Sequence, residues 1–376
     1  MESNRIVFIV NVDWFFKSHR LPIALELIDK NYEVHLVSRN TGEFKNLQDY
    51  GIICHNVAFH RDFSLRNIFS EIKCVWQLYY TLFRVKPSII YNVTQKPTLY
   101  SNLVSIFLNQ KIKIINAVSG LGFLFINTKT STFKRISISI LSIILRRHKN
   151  SKFIFQNSDD LEIFRKKLKR DESFYLVKGS GVDECVFKKS RIKNPNNFIT
   201  IGFLGRLIRD KGILDFIEVA KMLEKDYRHK CRFIIGGEVD SNNPTSLTEK
   251  ELREMEVPKY LEWLGHINDP KKFYQDVDIA CLPSYREGLP KSLVEAMAME
   301  CAIVTTDVPG CRDCVRVDIN GLLNPLGDNL TLKNNIIFLI NNPNKLESMK
   351  QESRKIMIEE MSLKKVLSQI IEIIES

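Results

Sequence analysis

The chain contains 376 residues, of which 44% are hydrophobic, and it carries a net charge of +11 at pH 7. This length predicts two domains of about 150 to 200 residues each, and the hydrophobic fraction excludes a disordered protein. Positive charge is concentrated in residues 1–190, where 29 Lys and Arg stand against 16 Asp and Glu, whereas residues 191–376 hold 26 against 28. A basic half of this kind indicates an acidic, extended partner, either a nucleic acid or an anionic membrane surface.

Short β-branched runs alternate with helical patterns along the first half of the chain, which predicts parallel strands joined by crossover helices. The first run, residues 5–12, is too short for a signal peptide or a membrane span, so we expect a cytoplasmic protein. The predicted strands are RIVFIVNV (5–12), YEVHLVS (32–38), IICHNV (52–57), SIIYNV (88–93), KIKIINAV (111–118) and KFIFQN (152–157).

Residues 130–152 form a basic segment without any acid around a core of Ile and Leu. Such a segment is too short to cross a bilayer and predicts a helix lying on an anionic membrane surface. The alternative is a packing helix with basic ends, and RKKLKR (165–170) adds a second basic cluster. No nucleic-acid-binding motif is present, so we expect no nucleic-acid partner. The cations of the segment are Lys134, Arg135, Arg146, Arg147, Lys149 and Lys152.

A polar stretch at 188–197 predicts the linker, and a second series of strands follows it. We therefore expect two Rossmann-like, doubly wound α/β domains that face a cleft, residues 1–190 and 191–376, with the last helix packing back on the first domain. The second series of predicted strands is FITIGFLG (198–205), CRFIIGG (231–237), YLEWLG (260–265), VDIACLP (277–283) and AIVTT (302–306).

The stretch EGLPKSLVEA (287–296) carries the strongest sign of function. Pro290 suits the first position of a helix, whose N-terminus favours a phosphate. Carboxylates such as Glu287 and Glu295 beside an anion site require a ligand that also has hydroxyl groups, and a nucleotide sugar has both. The alternative is an ordinary loop acid followed by a Glu on the helix surface.

Further motifs at predicted strand ends are GRLIRDKG (205–212), IIGG (234–237) and LGHI (264–267). Together with PSYREGLPKSLVEAMA (283–298), they resemble the retaining glycosyltransferases of family four, the glycosyl transferases group 1, which have the GT-B fold. The segments at 13–24 and 117–125 extend the resemblance to bacterial enzymes that lengthen glycans linked to undecaprenyl diphosphate.

This resemblance implies transfer of a hexose or N-acetylhexosamine from a UDP-sugar to a lipid-linked saccharide, with retention, in surface polysaccharide or O-antigen biosynthesis. It also implies that the enzyme needs no cofactor and that it works on the cytosolic face of the inner membrane. Arg206 and Lys211 match residues that meet the diphosphate, Glu287 one that positions the donor sugar, and Glu295 one that binds the ribose. The other donor-binding positions are Gly205, Gly237, His266, Gly288, Leu289, Pro290 and Lys291.

For the acceptor, we predict contacts from Arg20 and Lys96, which lie at predicted strand-end or helix-start positions of the first domain, and from Ser119. Ser119 stands where many family members carry a His, and the first loop lacks the glycines that many members have there. We therefore assign no catalytic His.

Two short motifs could suggest metal chemistry. The DVD at 276–278 imitates a metal motif of another glycosyltransferase fold, but we interpret it as a helix-end acid and a strand-start acid. The CRDC at 311–314 lacks a second pair at zinc-finger spacing, so we expect buried thiols there and no metal. Two other functions stay open, a non-hydrolysing nucleotide-sugar epimerase and a non-catalytic basic binding protein.

Overall fold

The computed structural model describes residues 4–59, 68–108, 111–120, 151–168, 173–190, 198–240, 243 and 245–376. The chain forms two compact units, one made of residues 1–177 and 367–376 and the other of residues 178–366. The division precedes the polar stretch at 188–197. The start of that stretch belongs to the second unit, where Ser190 exchanges two hydrogen bonds with Gln275.

The first unit is built on a parallel sheet that has seven strands among the described residues, in the order β3-β2-β1-β4-β5-β6-β7. Residues 6–10 of the central strand β1 are completely buried, as expected for a parallel sheet covered on both faces. The strands are β1 (Arg5–Val12), β2 (Glu33–Arg39), β3 (Ile53–Asn56), β4 (Ile89–Val93), β5 (Lys113–Val118), β6 (Ser151–Phe155) and β7 (Phe174–Leu176).

Six described helices connect or follow these strands, and the end of the chain returns to the same unit. Lys113 and Lys152 donate hydrogen bonds to the last carbonyl groups of the C-terminal helix, where cations are favoured. The helices are α1 (Asp13–His19), α2 (Leu21–Asp29), α3 (Phe44–Asp49), α4 (Ile68–Val85), α5 (Gln95–Ser105) and α6 (Ser158–Leu168).

The second unit has a parallel sheet with six strands among its described residues, in the order β10-β9-β8-β11-β12-β13. Its core contains a chain of aromatic rings, Phe203, Phe216, Phe233 and Tyr260, with centroids 5.5 to 5.6 Å apart. The strands are β8 (Ile199–Leu204), β9 (Cys231–Gly236), β10 (Leu261–Trp263), β11 (Ile279–Leu282), β12 (Ala302–Thr306) and β13 (Gly321–Asn324).

Helices cover this second sheet, and the last of them continues into the first unit. They are α7 (Ile213–Tyr227), α8 (Glu249–Met255), α9 (Pro270–Gln275), α10 (Lys291–Ala298), α11 (Asn329–Asn341), α12 (Pro343–Met361) and α13 (Leu363–Glu375).

The predicted fold class, two tandem doubly wound α/β units, is confirmed. Every predicted strand is present, and two short strands, β7 and β13, were not predicted. The strand order reverses between β1 and β4 in the first unit and between β8 and β11 in the second. Such reversals mark where ligands bind in open α/β sheets, outside the carboxyl ends of the strands.

Candidate active site in the second unit

Three loops converge at the carboxyl ends of β8, β9 and β10. The amide of Gly205 donates to the carbonyl of Gly236, and the amide of Gly237 donates to that of Gly265. Gly237 has a φ of +146°, and a Cβ there would lie 1.9 Å from the carbonyl oxygen of Gly205. Only glycine fits such a backbone crossing, which explains the glycine at position 237.

A second close approach fixes the loop that carries Lys211. Residues Arg209–Lys211 form a 3-10 turn that ends at Gly212, which has a φ of +73°. A Cβ at Gly212 would lie 2.0 Å from the carbonyl oxygen of Pro283. The carbonyl of Asp210 accepts a 2.9 Å hydrogen bond from the amide of Tyr285, so the two loops are joined along their backbones.

This backbone contact brings Lys211 and Glu287 together across 76 residues of sequence. Their side chains form an ion pair in which Lys211 is 21% and Glu287 is 11% exposed. The hydroxyl of Ser284, which is buried, lies 2.9 Å from Oε1 of Glu287 and 3.1 Å from the carbonyl oxygen of Asp210. Glu287 is thus held by a cation and a hydroxyl group, with little freedom to reorient.

The loop from Glu287 to Pro290 is held from the other side by the turn before a second 3-10 segment, Arg312–Cys314. The amide of Glu287 lies 3.3 Å from the carbonyl of Pro309. A Cβ on Gly310 would lie 2.4 Å from the carbonyl oxygen of Gly288, so this position also requires glycine.

Helix α10 begins at Lys291, one residue later than predicted, and Pro290 is its N-cap residue. Proline has a fixed φ and no side-chain group that could accept a hydrogen bond from the first amides of the helix. The side chain of Pro290 therefore does not cap α10. Leu293, Val294 and Met297 are buried, which confirms the predicted apolar face.

Glu295 is also buried, so the alternative of a Glu on the helix surface is wrong. Burial raises the pKa of Glu295, and the ammonium of Lys291, 3.6 Å from its Oε1, opposes that shift. A buried carboxylate paired with a single cation keeps unused acceptor capacity, which suits a ligand that donates hydrogen bonds.

The side chains of Arg206 and His266 lie near acidic residues outside the Lys211–Glu287 pair. Arg206 is half exposed and lies 3.7 Å from Oδ2 of Asp240. His266 is exposed and lies 3.4 Å from Oε2 of Glu238. Both assignments to the donor stay predictions.

The predicted acceptor residues lie in the first unit. Arg20 is buried between α1 and α2, which lowers its pKa. Lys96 is buried at the start of α5, with its ammonium 2.7 Å from Oε1 of Glu71 in α4. Ser119 follows β5 and is partly buried. These three assignments also stay predictions.

Two polar neighbours of the site were missed by the sequence analysis, besides Ser284. Asp215 on α7 accepts a hydrogen bond from the side chain of Tyr285 and another from Asn329. Burial raises the pKa of Asp215, and these two hydrogen bonds oppose the shift. Tyr285 lies between Ser284 and Glu287, and this position within the motif was the one sequence signal that could have identified it.

The motifs considered for metals have structural roles. Asp278 lies 3.0 Å from Nζ of Lys350 and accepts a hydrogen bond from the amide of Thr200. Cys311 and Cys314 are buried thiols, and burial raises the pKa of Cys311 to about 12. Within the described ranges, no group of three or more His, Cys, Asp or Glu could hold a metal ion.

The basic segment predicted at the membrane lies almost entirely outside the described residues, as do residues 121–125 of the N-terminal family motif and part of the cluster at 165–170. Of its cations only Lys152 is described, and it donates to the carbonyl of Ile373. In the described part of the chain, none of the helices is both long and apolar enough to cross a bilayer.

Comparison with known proteins agrees with this geometry. The family model of the glycosyl transferases group 1 matches residues 186–356, and the glycosyl transferase 4-like model matches residues 5–157. The capsular polysaccharide biosynthesis glycosyltransferase CapM of Staphylococcus aureus is 25% identical over 94% of this chain and 92% of its own length.

A second relative is the N,N'-diacetylbacillosaminyl-diphospho-undecaprenol alpha-1,3-N-acetylgalactosaminyltransferase of Campylobacter jejuni. It is 26% identical over 85% of this chain and 84% of its own length. The crystal structure of Anabaena Alr3699/HepE in complex with UDP and glucose superposes with a TM-score of 0.79, covers 99% of both chains and is 17% identical, a likeness that shows the GT-B fold.

The two family models cover both halves of the chain, and the charged pair, the glycine contacts and α10 all lie within the part matched by the group 1 model. Residues 186–356 therefore belong to the glycosyl transferases group 1 and residues 5–157 to the glycosyl transferase 4-like family, and the chain is a glycosyltransferase of the family-four type with the GT-B fold.

Proposed function

We propose that this enzyme moves a hexose or N-acetylhexosamine from a UDP-sugar to a saccharide linked to undecaprenyl diphosphate, with retention of configuration. The observation that carries the proposal is the ion pair of Lys211 and Glu287, held by Ser284 at the strand ends beside the N-terminus of α10. The Campylobacter relative, whose acceptor is linked to undecaprenol, supports the choice of acceptor. The likeness to a protein crystallised with UDP and glucose supports the choice of donor.

The proposed transfer depends on the charge that develops on the leaving diphosphate. As the glycosidic bond breaks, the leaving diphosphate gains negative charge, and a cation fixed beside it stabilises the transition state more than the ground state. Lys211 supplies this cation, and Arg206 is a second candidate. Glu287 accepts hydrogen bonds from sugar hydroxyls, and Glu295 accepts them from the ribose.

Retention can arise through a carboxylate nucleophile or through substitution on the front face of the sugar. We favour the front-face route, in which a diphosphate oxygen takes the acceptor proton. A carboxylate engaged by Lys211 and Ser284 is suited to orient the sugar and not to attack it.

We place the enzyme on the cytosolic face of the inner membrane, in surface polysaccharide or O-antigen biosynthesis, as a peripheral protein. The lipid-linked acceptor and the basic first half support this location.

Incubation of the purified protein with a panel of radiolabelled nucleotide sugars and a polyprenyl-diphosphate saccharide tests the proposal. We expect transfer from one UDP-sugar, with the anomeric configuration of the product retained in its NMR coupling constants. Interconversion of the donor without transfer would instead indicate an epimerase, and neither reaction would indicate a binding protein.

A further inference from the structure

Helix α4 in the first unit has apolar side chains on two faces. One face packs into the core through Cys74, Leu78, Leu82 and Val85. The other face is what we call the α4 stripe, in which successive members are three or four residues apart and therefore share one side of the helix. Its members, with their exposed fractions, are Phe69 (85%), Ile72 (60%), Trp76 (63%), Tyr80 (48%) and Phe83 (53%).

A helix on the surface of a globular protein normally carries polar side chains on the face that is exposed to water. Five large apolar side chains in one exposed row instead mark a surface that binds something. We propose that the α4 stripe is the surface through which this enzyme docks on an anionic lipid bilayer. The inference rests on the proposed function, because a lipid-linked acceptor must be reached at such a surface.

The composition of the stripe suits the boundary between water and hydrocarbon. The rings of Trp76 and Tyr80 stack with centroids 5.8 Å apart and an interplanar angle of 9°. Both side chains combine an apolar body with a polar tip, and both are enriched at the headgroup level of membranes. From Phe69 to Phe83 the helix extends about 21 Å, so it would lie in the plane of the interface and not cross it.

Charge distinguishes a lipid surface from a second protein as the occupant. The exposed cations Lys73, Arg84 and Lys86 lie on α4 or directly after it, and the guanidinium of Arg84 is 5.6 Å from the ring centroid of Tyr80. Glu71 is the one acid in the helix sequence, and it is turned away to bind Lys96 and the hydroxyl of Tyr100. An apolar row with cations beside it matches an anionic headgroup layer.

The first experiment measures cosedimentation with vesicles of anionic phosphatidylglycerol mixed with phosphatidylcholine, or of phosphatidylcholine alone. The stripe variant carries Phe69→Ser, Trp76→Ser and Phe83→Ser. The matched control carries Phe198→Ser, Ile319→Ser and Phe338→Ser, which remove three exposed apolar side chains from the second unit. We expect the stripe variant to bind anionic vesicles at least about tenfold more weakly than wild type, and the control to bind like wild type.

A second readout locates the contact. The chain has three Trp residues, and brominated phosphatidylcholine should quench part of the wild-type fluorescence through Trp76. Trp76→Phe should keep vesicle binding while removing that quenching. Because this substitution is conservative, it tests the docking surface even if the triple variant is poorly folded.

Equal vesicle binding by wild type and the stripe variant, or unchanged quenching in Trp76→Phe, would overturn the proposal. A stripe variant that binds vesicles normally but loses self-association in sedimentation velocity would assign the stripe to a second copy of the chain. Neutralising Arg146, Arg147 and Lys149 to Gln separates the contribution of the basic segment, and loss of vesicle binding in this variant alone would also overturn the role of α4.

Transfer to a short-chain, water-soluble acceptor, measured on the same preparations, separates this inference from the proposed function. We expect the stripe variant to retain this transfer and to lose transfer to an acceptor embedded in vesicles. If wild type transfers sugar to neither acceptor, the proposed function fails, and the vesicle results still decide the role of the stripe.

Discussion

The carboxyl edges of the two sheets differ in the groups they offer to a ligand. In the second unit, Lys211 and Glu287 form a partly exposed charged pair held by backbone contacts that only glycine permits. In the first unit, the neighbouring polar groups are buried amides, with Asn92 and Asn102 both donating to Oδ1 of Asn116. The second unit thus presents a preorganised charged pair to a ligand, whereas these three amides of the first unit bind one another.

The largest expected effect comes from Gly212→Ala, which should disrupt the backbone contact beneath the charged pair. The new Cβ would lie 2.0 Å from the carbonyl oxygen of Pro283, so the two loops must separate. We expect kcat/KM to fall by more than about a hundredfold and Tm to drop by several degrees. Gly265→Ala is the matched control, since Gly265 has nearly the same φ, +74°, but open space around its Cβ position. Equal losses in both variants would show that strain alone, and not the loop contact, matters.

Lys211→Ala should lower kcat by about a hundredfold at saturating donor, because the leaving diphosphate loses its cation. Glu295→Ala should mainly raise the KM for the donor. Lys350→Ala, which breaks the pair with Asp278 in the same unit, controls for the loss of a partly buried ion pair and should leave kcat near wild type. A wild-type kcat in Lys211→Ala would refute the assignment.

Ser284→Ala should lower kcat by about tenfold with little change in KM, since the carboxylate of Glu287 loses one of the two groups that orient it. The hydroxyl does not need to touch the substrate, so Ser284 is a positioning residue. Ser284→Thr, which restores a hydroxyl group, should recover part of the rate. A purely structural role would instead lower Tm in Ser284→Ala and leave kcat unchanged.

Two buried carboxylates should show opposite pH dependence of stability. Burial raises the pKa of Glu295, so the folded state holds its proton more tightly than the unfolded state, and stability falls as pH rises through its normal and then its raised pKa. Asp13 is also buried, but hydrogen bonds from Thr41, Glu43 and Trp14 outweigh that effect and lower its pKa. The stabilising contribution of Asp13 is present above the pKa that it has in the unfolded state and is lost as the pH falls through its pKa in the folded state.

We therefore expect Glu295→Gln to raise Tm by a few degrees at pH 7 and Asp13→Asn to lower it. Both differences from wild type should shrink in acid, as thermal unfolding from pH 3 to pH 8 will show. Shifts of the same sign at pH 7 would contradict this account.

The smallest expected effect is that of a chelator. Because Lys211, with Arg206 as a second candidate, is proposed to supply the positive charge for the leaving diphosphate, we expect transfer to continue in excess EDTA. Loss of activity in EDTA that manganese restores would return Asp276 and Asp278 to consideration as ligands.

Much of the fold could be predicted because strand signals are local. Residues 6–10 of β1 form a continuous apolar run, which is typical of a central parallel strand. Strand β7 was missed because it lies at the edge of the sheet, where two of its three residues are only partly buried and Leu176 is exposed. Strand β13, GLLN, is also too short to give a periodic pattern.

The site was less predictable where it depends on distant contacts. The motifs identify Lys211 and Glu287 separately, but their ion pair depends on Gly212 meeting Pro283, which no local pattern reveals. Lys96 was correctly placed at the start of a helix, yet its charge is bound by Glu71 from α4. The α4 stripe was missed because two apolar faces on one helix give the same signal as complete burial.

The return of residues 367–376 to the first unit affects the order in which the protein can mature. Lys113 and Lys152 bind carbonyl groups of residues 374 and 373, which are synthesised near the end of the described chain. During translation, residues 178–366 therefore leave the ribosome before the first unit has all of its parts. The second unit can complete its fold first, the reverse of the usual N-terminal order. Until then the ammonium groups of Lys113 and Lys152 lack these two hydrogen-bond partners.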